Sequence, residues 1–173
     1  MENVDVPTYH EHPSKTTTWR DGQFVGMQEA ESVDITVWFA LDTDGDEPQW
    51  EGLLATAGEG GTATVLSVPF FVYDLALGDE ITTMASAEGP LVAVERVRQS
   101  GMLTFRVVFE DDTEDQWQIL MRDLEPWSCW FDVRSPLLVA IAAPAESAQG
   151  VADYLHTREQ AGELQYETGQ TSG

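Results

Sequence analysis

The chain has 173 residues, a length typical of one domain of ordinary size or of two small modules that share a core. Its 31 acidic and 8 basic residues give a formal net charge of −23, which argues against nucleic acid and anionic membranes as partners, because both are polyanionic. The single cysteine excludes an intramolecular disulfide, which fits a reducing compartment. The sequence also shows no secretory signal pattern and no apolar run of ~18 residues, so we expect a cytoplasmic protein.

The N-terminal half of the chain is predicted to be an arm followed by a β-module. Residues 1–31 are polar and show no hydrophobic period, which predicts a flexible or loosely docked arm. Apolar side chains alternate over 33–41 as in a half-buried strand, and glycine-rich turns separate four further strands in the range 50–99. We therefore expect residues 32–101 to form an antiparallel β-module, either a curled sheet or a partial barrel.

The clearest turn in the sequence is Ser100-Gly101, which two stretches of alternating apolar residues flank. A two-residue loop that contains glycine suits a β-hairpin. The hairpin, residues 91–110, would place Glu95 opposite Arg106 as a cross-strand ion pair. It would belong to both halves of the chain and join them.

The patterns after this turn follow the order strand, helix, strand, strand, helix, strand. Four apolar side chains at i, i+3, i+4 and i+7 indicate the first helix within 112–124, and Pro144 opens the second. This order predicts that residues 102–168 form a ferredoxin-like βαββαβ half, with both helices on one face of four antiparallel strands. Residues 169–173 are expected to be a frayed tail, and the predicted fold class is α+β.

The acidic stretch LDTDGDEPQW, residues 41–50, resembles a calcium loop at first sight. An EF-hand loop counted from its first aspartate needs glycine at position six and glutamate at position twelve, and this chain has Glu47 and Leu53 there. We interpret the stretch as a solvated hairpin turn that presents an acidic surface, formed by Asp42, Asp44, Asp46 and Glu47.

Other residues with reactive or metal-binding side chains have ordinary structural explanations. His10 and His12 supply two of the four ligands that a structural zinc needs. Cys129 lies on the buried face of a predicted strand, which indicates an inert core thiol. We therefore assign no catalytic residue, no metal and no cofactor.

Six residues are candidates for binding a ligand or a partner. Asp74, Asp79 and Glu80 flank an aromatic segment, where a carboxyl group can acquire a perturbed pKa. Asp79 follows Gly78 and can instead bond to the backbone of its own turn. Arg96 and Arg98 share a strand face, which suits an anion or a partner and equally suits internal ion pairs. Trp130 is out of phase with its aromatic neighbours, so its ring is expected at the surface or in a groove between the modules. The candidates are Tyr73, Asp79, Arg96, Arg98, Arg106 and Trp130, of which Tyr73, Asp79, Arg106 and Trp130 would line a cleft between the modules.

Short motifs in the chain form a recognisable set. They are a Pro-Phe-Phe segment leading to Gly-Asp, a Ser-Gly turn followed by Thr and Arg, and a C-terminal helix followed by Gly and Tyr-Glu. Their residues are Pro69, Phe70, Phe71, Gly78, Asp79, Ser100, Gly101, Thr104, Arg106, Gly162, Tyr166 and Glu167. Over roughly residues 33–168 the chain resembles a small bacterial family known only as a domain of unknown function, with Leu54 standing where that family has a tryptophan. The resemblance implies no activity, cofactor or catalytic residue.

The acidity has two explanations, an acidic or salt-adapted host proteome and a basic partner whose cationic groove this surface covers. Our first hypothesis is a non-catalytic cytosolic protein-binding module, such as an immunity or antitoxin-type inhibitor of a cationic protein. The alternatives are a small enzyme or small-ligand-binding protein with a cleft between the two modules, and an oligomeric scaffold that pairs as a homodimer.

Overall fold

The structure is a computed structural model, and it describes residues 7–12, 16–27, 34–42, 45, 47–111 and 115–170. The described residues form twelve β-strands and two α-helices, so the protein is mostly β with an α+β fold. The strands are β1 (Thr8–Glu11), β2 (Thr17–Arg20), β3 (Gln23–Gly26), β4 (Asp34–Leu41), β5 (Gln49–Ala57), β6 (Thr62–Val65), β7 (Glu80–Ala85), β8 (Leu91–Arg98), β9 (Met102–Phe109), β10 (Trp130–Ser135), β11 (Leu138–Pro144) and β12 (Leu164–Thr168). The helices are α1 (Gln116–Asp123) and α2 (Ala148–Gln160). Neither of these helices is long and apolar enough to cross a membrane.

Five strands close into a barrel in the order β5-β4-β8-β7-β6, because β5 pairs with both β4 and β6. Alternate side chains such as Val37, Leu53, Val65 and Ile81 point into the barrel and are fully buried there. Strand β1 extends this sheet by pairing in parallel with the first half of β5. The prediction of an antiparallel module, either a curled sheet or a partial barrel, is corrected on two points: the barrel is closed, and β4 pairs with β8 in parallel.

The second sheet has the order β12-β9-β11-β10-β2-β3, and each neighbouring pair in it is antiparallel. Both helices pack on the face that carries Phe105, Val107 and Ile141, and they contribute Leu120 and Leu155 to this core. The other face is turned toward the barrel.

Residues 66–79, which we name the connector, run between β6 and β7 and lie between the barrel and the second sheet. Leu75 packs into the barrel core, whereas Val68 and Phe70 pack against Ala140 of β11. The connector therefore joins the two hydrophobic cores of the molecule through its own side chains.

The predicted hairpin around Ser100-Gly101 is wrong. Strand β8 pairs with β7 and β4, and β9 pairs with β11 and β12, so Glu95 lies opposite Thr82 rather than opposite Arg106. The physical reason is that each strand pairs along its length with other neighbours, and the connector holds the chain between them: the backbone N–H of Ser100 donates to the Asp79 carboxylate at 2.8 Å. The chain thus crosses from one sheet to the other at this point instead of folding back.

The prediction of a loosely docked N-terminal arm is also wrong for the described residues, because β1 joins the barrel sheet and β2 and β3 join the second sheet. The buried positions of this segment are threonines, so no hydrophobic period marks them. The Thr16 hydroxyl donates to the Leu66 carbonyl at 2.9 Å, and the Thr18 hydroxyl donates to the Cys129 carbonyl at 2.6 Å. Hydrogen bonds of this kind make buried hydroxyl groups acceptable in a core.

The first residue of the predicted frayed tail, Gly169, is instead fixed in the fold. Gly169 is buried, its N–H donates to the Thr104 carbonyl at 2.7 Å, and its carbonyl accepts from the N–H of Asp74 at 2.7 Å. Residues 171–173 lie outside the described part of the chain.

Candidate functional site

The connector has no regular secondary structure, so its backbone polar groups need partners from elsewhere. Glu51 of β5 is 1% exposed and accepts the backbone N–H groups of Phe70, Phe71 and Val72 at 2.8, 3.1 and 3.0 Å. Three hydrogen bonds to one carboxylate stabilise a buried negative charge. Glu51 therefore fixes the aromatic part of the connector onto the barrel.

Asp132 of β10 holds the first part of the connector onto the second sheet. Its fully buried carboxylate accepts the N–H of Val68 at 2.7 Å and the hydroxyl of Thr16 at 2.8 Å. His12 lies with its Nε2 atom 3.5 Å from this carboxylate, and its ring stacks on Phe70 at a centroid distance of 4.9 Å. The N-terminal strands and the connector thus meet at one buried polar centre.

The second half of the connector is held by side chains on both sides of the crossing. Asp79 is buried and accepts the N–H of Ala76 at 2.9 Å, in addition to its bond from Ser100. The Ser100 and Thr104 hydroxyls donate to the carbonyl groups of Leu77 and Leu75 at 2.7 and 3.0 Å. These hydrogen bonds close the loop that leads into β7.

Gly78 fits this loop for two reasons. Its φ of +85° lies in the left-handed region that favours glycine, and a Cβ there would lie 3.0 Å from the Cβ of Ser100. Any larger residue at position 78 would strain the backbone and push against the crossing.

Arg106 of β9 binds the middle of the connector. Its side chain is buried and donates to the carbonyl groups of Pro69, at 3.4 Å, and Val72. It also pairs with Glu167 of β12 at 3.3 Å, and its guanidinium lies 4.6 Å from the ring centroid of Tyr73. The four buried charged side chains of this region, Glu51, Asp79, Arg106 and Asp132, therefore all form hydrogen bonds with backbone groups of the connector.

Tyr73 is one of two exposed residues of the connector, the other being Asp74, and it is 45% exposed. Its hydroxyl donates to both carboxylate oxygens of Glu167 at 3.0 Å. Burial raises the pKa of the Tyr73 phenol, and the hydrogen bond to Glu167 raises it further. A tyrosine that acts as a general base needs the opposite shift, so this pair is suited to contact rather than to proton abstraction.

Open grooves with volumes of about 270 to 390 Å³ lie along the connector, and three of them share Asp74 as a lining residue. One, of about 390 Å³, runs between the end of β4 and the aromatic part of the connector, and we name it the Tyr73 groove. Its lining residues are Ala40, Leu41, Asp42, Phe71, Val72, Tyr73 and Asp74.

The structure brings together only some of the six candidate residues. Tyr73 and Arg106 are in contact, whereas Asp79 pairs with Arg96 at 3.7 Å and lines a different groove. Trp130 packs in the cluster on the barrel-facing side of the second sheet, away from these grooves. The four residues expected to line one cleft therefore share none of the grooves described here.

Each of the seven arginines contacts an acidic or aromatic side chain of the chain itself. Four form ion pairs: Arg96 with Asp79, Arg98 with Glu80 at 2.9 Å, Arg106 with Glu167, and Arg158 with Glu163 at 2.6 Å. Three lie over rings: Arg20 over Trp130 at 5.8 Å, Arg122 over Trp19 at 4.6 Å, and Arg134 over Phe71 at 4.9 Å. Arg96 and Arg98 thus follow the internal-pairing explanation that the sequence left open.

The acidic loop connects two antiparallel strands, β4 and β5, as a hairpin. Asp42 and Glu47 are exposed there, and Asp44 and Asp46 lie outside the described residues. His10, the other histidine of the N-terminal pair, lies against Phe71 and hydrogen-bonds Gln49 at 3.2 Å. Within the described ranges, no group of three or more His, Cys, Asp or Glu side chains is placed to hold a metal ion.

Cys129 is buried next to the start of β10, and burial raises the pKa of its thiol to about 12. The thiolate is the reactive form, so a thiol-specific disulfide reagent at pH 8 is expected to label Cys129 about 100-fold more slowly in native protein than in urea. The labelling rate can be followed by absorbance. Equal rates in the two conditions would contradict the burial of this thiol.

Sequence reasoning missed two carboxylates that organise the site, Glu51 and Asp132. A usable signal existed for Glu51, because it has the same strand parity as Leu53 and Ala55, which are fully buried. A charged residue on the apolar face of a strand indicates a buried hydrogen-bonding role. Asp74, which the sequence places beside the aromatic segment together with Asp79 and Glu80, has φ of +58° and lines three of the grooves.

Comparison with known proteins supports the fold and the family. No curated protein matches the chain. A solved structure described as a novel crystal structure of a hypothetical protein from Neisseria gonorrhoeae is similar, with a TM-score of 0.66 over 81% of this chain and 95% of that chain. The two sequences are 18% identical, so this similarity shows a shared fold alone. The family model Domain of unknown function (DUF4265) matches residues 51–166, which is more than half of the chain and includes the whole connector. The resemblance predicted from the motifs is confirmed, and the chain belongs to the DUF4265 family.

Proposed function

We propose that this protein is a non-catalytic cytoplasmic module that binds a cationic protein, in the manner of an immunity or antitoxin-type inhibitor. The observation that carries the proposal is the net charge of −23, together with the contacts that each of the seven arginines makes to an acid or a ring of the chain itself. The outward charge is therefore strongly negative, and such a field accelerates encounter with a basic partner.

The chemistry of the described residues supports binding rather than catalysis. The Tyr73 phenol and the Cys129 thiol both have raised pKa values, so neither is activated near neutral pH. The buried carboxylates of Glu51 and Asp132 accept backbone N–H groups, which leaves them poorly placed to act on a substrate. The grooves along the connector are open to solvent rather than enclosed.

The surface around Tyr73 has the composition of a contact surface. Its half-exposed ring lies beside Phe71, and Val94 of β8 is 57% exposed nearby in the neighbouring groove. Exposed carboxylates at Asp42 and Glu95 border these apolar groups. An aromatic anchor with a charged rim is a common arrangement at the centre of a protein interface.

We also assign the second sheet, together with α1 and α2, to the ferredoxin-like class. The assignment is supported by the strand order β12-β9-β11-β10, with antiparallel neighbours, which is the order that a split βαβ unit produces. Strands β2 and β3 would then be an extension that the N-terminal segment adds to this unit.

The proposal is tested by isolating the partner and measuring the salt dependence of binding. Capture from the native host at low salt, followed by reconstitution with the purified partner, is expected to give a protein of basic pI. Its Kd should rise about 10- to 100-fold between 50 and 300 mM salt, because surface charges are screened within a Debye length of ~10 Å.

Two outcomes would overturn the proposal. One is a purified partner that is acidic or neutral and whose affinity does not change with salt. The other is a homodimer at micromolar concentration with no partner, which would favour an oligomeric scaffold and is measurable by light scattering.

A further inference from the structure

Three kinds of residue line the Tyr73 groove: the apolar residues Ala40, Leu41 and Val72, the aromatic residues Phe71 and Tyr73, and the acidic residues Asp42 and Asp74. Building on the proposed function, we propose that this groove receives an arginine side chain of the cationic partner.

The charge of the lining residues determines which charge the occupant of the groove carries. The charged side chains that line the groove are Asp42 and Asp74, and both are acidic. Arg106 and Arg134 contact the rings of Tyr73 and Phe71 at 4.6 and 4.9 Å, and Arg96 donates to the Asp74 carbonyl, but none of these three arginines lines the groove. The groove is therefore a negative depression whose complement is a cation.

Shape and the nature of the walls favour arginine over lysine. A guanidinium is planar, stacks on aromatic faces and donates several hydrogen bonds to carboxylates, whereas an ammonium ion is a compact and strongly hydrated charge. The methylene stem of arginine can lie against apolar lining residues while its head reaches the carboxylates. The chain itself already uses the same two rings to hold guanidinium groups, at Arg106 and Arg134.

The groove is also held in place before any partner arrives. The N–H of Asp74 donates to the Gly169 carbonyl at 2.7 Å, and the Asp74 carbonyl accepts a hydrogen bond from Arg96. Glu51 fixes the backbone of Phe71 and Val72 on the other side. A preformed site loses little conformational entropy when it binds, which raises its affinity.

The test uses three capped tripeptides, Gly-Arg-Gly, Gly-Lys-Gly and Gly-citrulline-Gly, titrated into the full chain and followed by NMR chemical shifts. Citrulline has nearly the shape of arginine without its charge. The arginine peptide is expected to bind with a Kd on the order of millimolar and to shift amides of residues 40–42 and 71–74. The citrulline peptide should bind about 10-fold more weakly, and the lysine peptide about two- to five-fold more weakly.

Variants assign the binding to the groove. The double change Asp42→Asn with Asp74→Asn removes both charges, and asparagine tolerates the positive φ of position 74. It is expected to weaken the arginine peptide about 10-fold, whereas Tyr73→Phe, which keeps the ring, should stay within about two-fold of the parent chain. The matched control is Glu59→Gln with Glu88→Gln, which changes net charge equally in turns at the other end of the barrel strands.

The outcomes separate this inference from the proposed function. Equal binding of arginine and citrulline peptides, or equal loss in both double variants, would overturn the arginine site. A basic partner whose steeply salt-dependent affinity is the same in both double variants would leave the proposed function standing and overturn the arginine site. Arginine binding in the groove without any basic partner would support the site and overturn the proposed function.

Discussion

Replacement of Glu51 by glutamine is expected to lower the free energy of unfolding by about 2–4 kcal/mol, although it changes one atom of a buried side chain. One carboxylate oxygen accepts the N–H of Phe70, and the other accepts those of Phe71 and Val72. Either orientation of the amide therefore turns its NH₂ group toward at least one backbone N–H, which leaves a buried donor without an acceptor. Charge-assisted hydrogen bonds are also replaced by weaker neutral ones.

The measurement is urea or thermal unfolding followed by tryptophan fluorescence, which six tryptophans make sensitive. A loss of about 3 kcal/mol corresponds to a Tm lower by roughly 6–12 °C for a chain of this size. Glu59→Gln is the matched control, because Glu59 is exposed in a turn and its replacement should change stability by less than about 0.5 kcal/mol. Equal stabilities for the two variants would show that the connector does not depend on the Glu51 carboxylate.

Replacement of Arg106 by leucine is the second change with a large expected effect, a loss of about 3–5 kcal/mol. The side chain is 4% exposed, and its removal leaves the carbonyl groups of Pro69 and Val72 without their donor. Glu167 loses its cation and Tyr73 loses the guanidinium on its ring, so the exposed end of the connector is loosened at the same time.

Arg98→Leu is the matched control for this prediction, since Arg98 also pairs with one glutamate but its side chain is 73% exposed. An exposed ion pair contributes little, so this variant should lose at most about 1 kcal/mol. Arg106→Lys should recover only a small part of the loss, because an ammonium group cannot reproduce the planar donor set of a guanidinium. The structural role of Arg106 would be refuted by equal losses at positions 98 and 106 in chemical denaturation.

These two predictions share one consequence for binding. Glu51 and Arg106 both position the backbone that carries Phe71 and Tyr73, although neither side chain lines the Tyr73 groove. A partner that binds this surface depends on a connector ordered in advance, because ordering it at the moment of binding costs conformational entropy.

The features that the sequence determined by itself are those that depend on near neighbours along the chain. Alternation through Val37 and Phe39 predicted the strand that is β4, and a helical stripe through Leu120 and Leu124 predicted α1, because side-chain period follows directly from backbone geometry. The same local patterns indicated an α+β fold, and short motifs were sufficient to indicate a family known only as a domain of unknown function, which the family match identifies as DUF4265.

The candidate site could be predicted only in part. Tyr73 and Arg106 were both identified from residue type and position, and in the structure the Arg106 guanidinium lies 4.6 Å from the centroid of the Tyr73 ring. Their common partner Glu167 was named as a motif residue but not as a member of the site, since strand register across β9 and β12 cannot be read from either strand alone.

Tertiary structure alone decided which strands pair and where the polar residues of the connector find their partners. Ser100-Gly101 has the local form of a hairpin loop, yet β8 and β9 lie in different sheets, and the Ser100 N–H donates to Asp79 from an earlier part of the chain. Thr16 and Thr18 have the polar sequence context of a flexible arm, but in the structure their hydroxyl groups donate to the carbonyl groups of residues far along the chain. Contacts between distant segments are set by packing and by hydrogen-bond satisfaction of the whole fold, and no local window of sequence contains both partners.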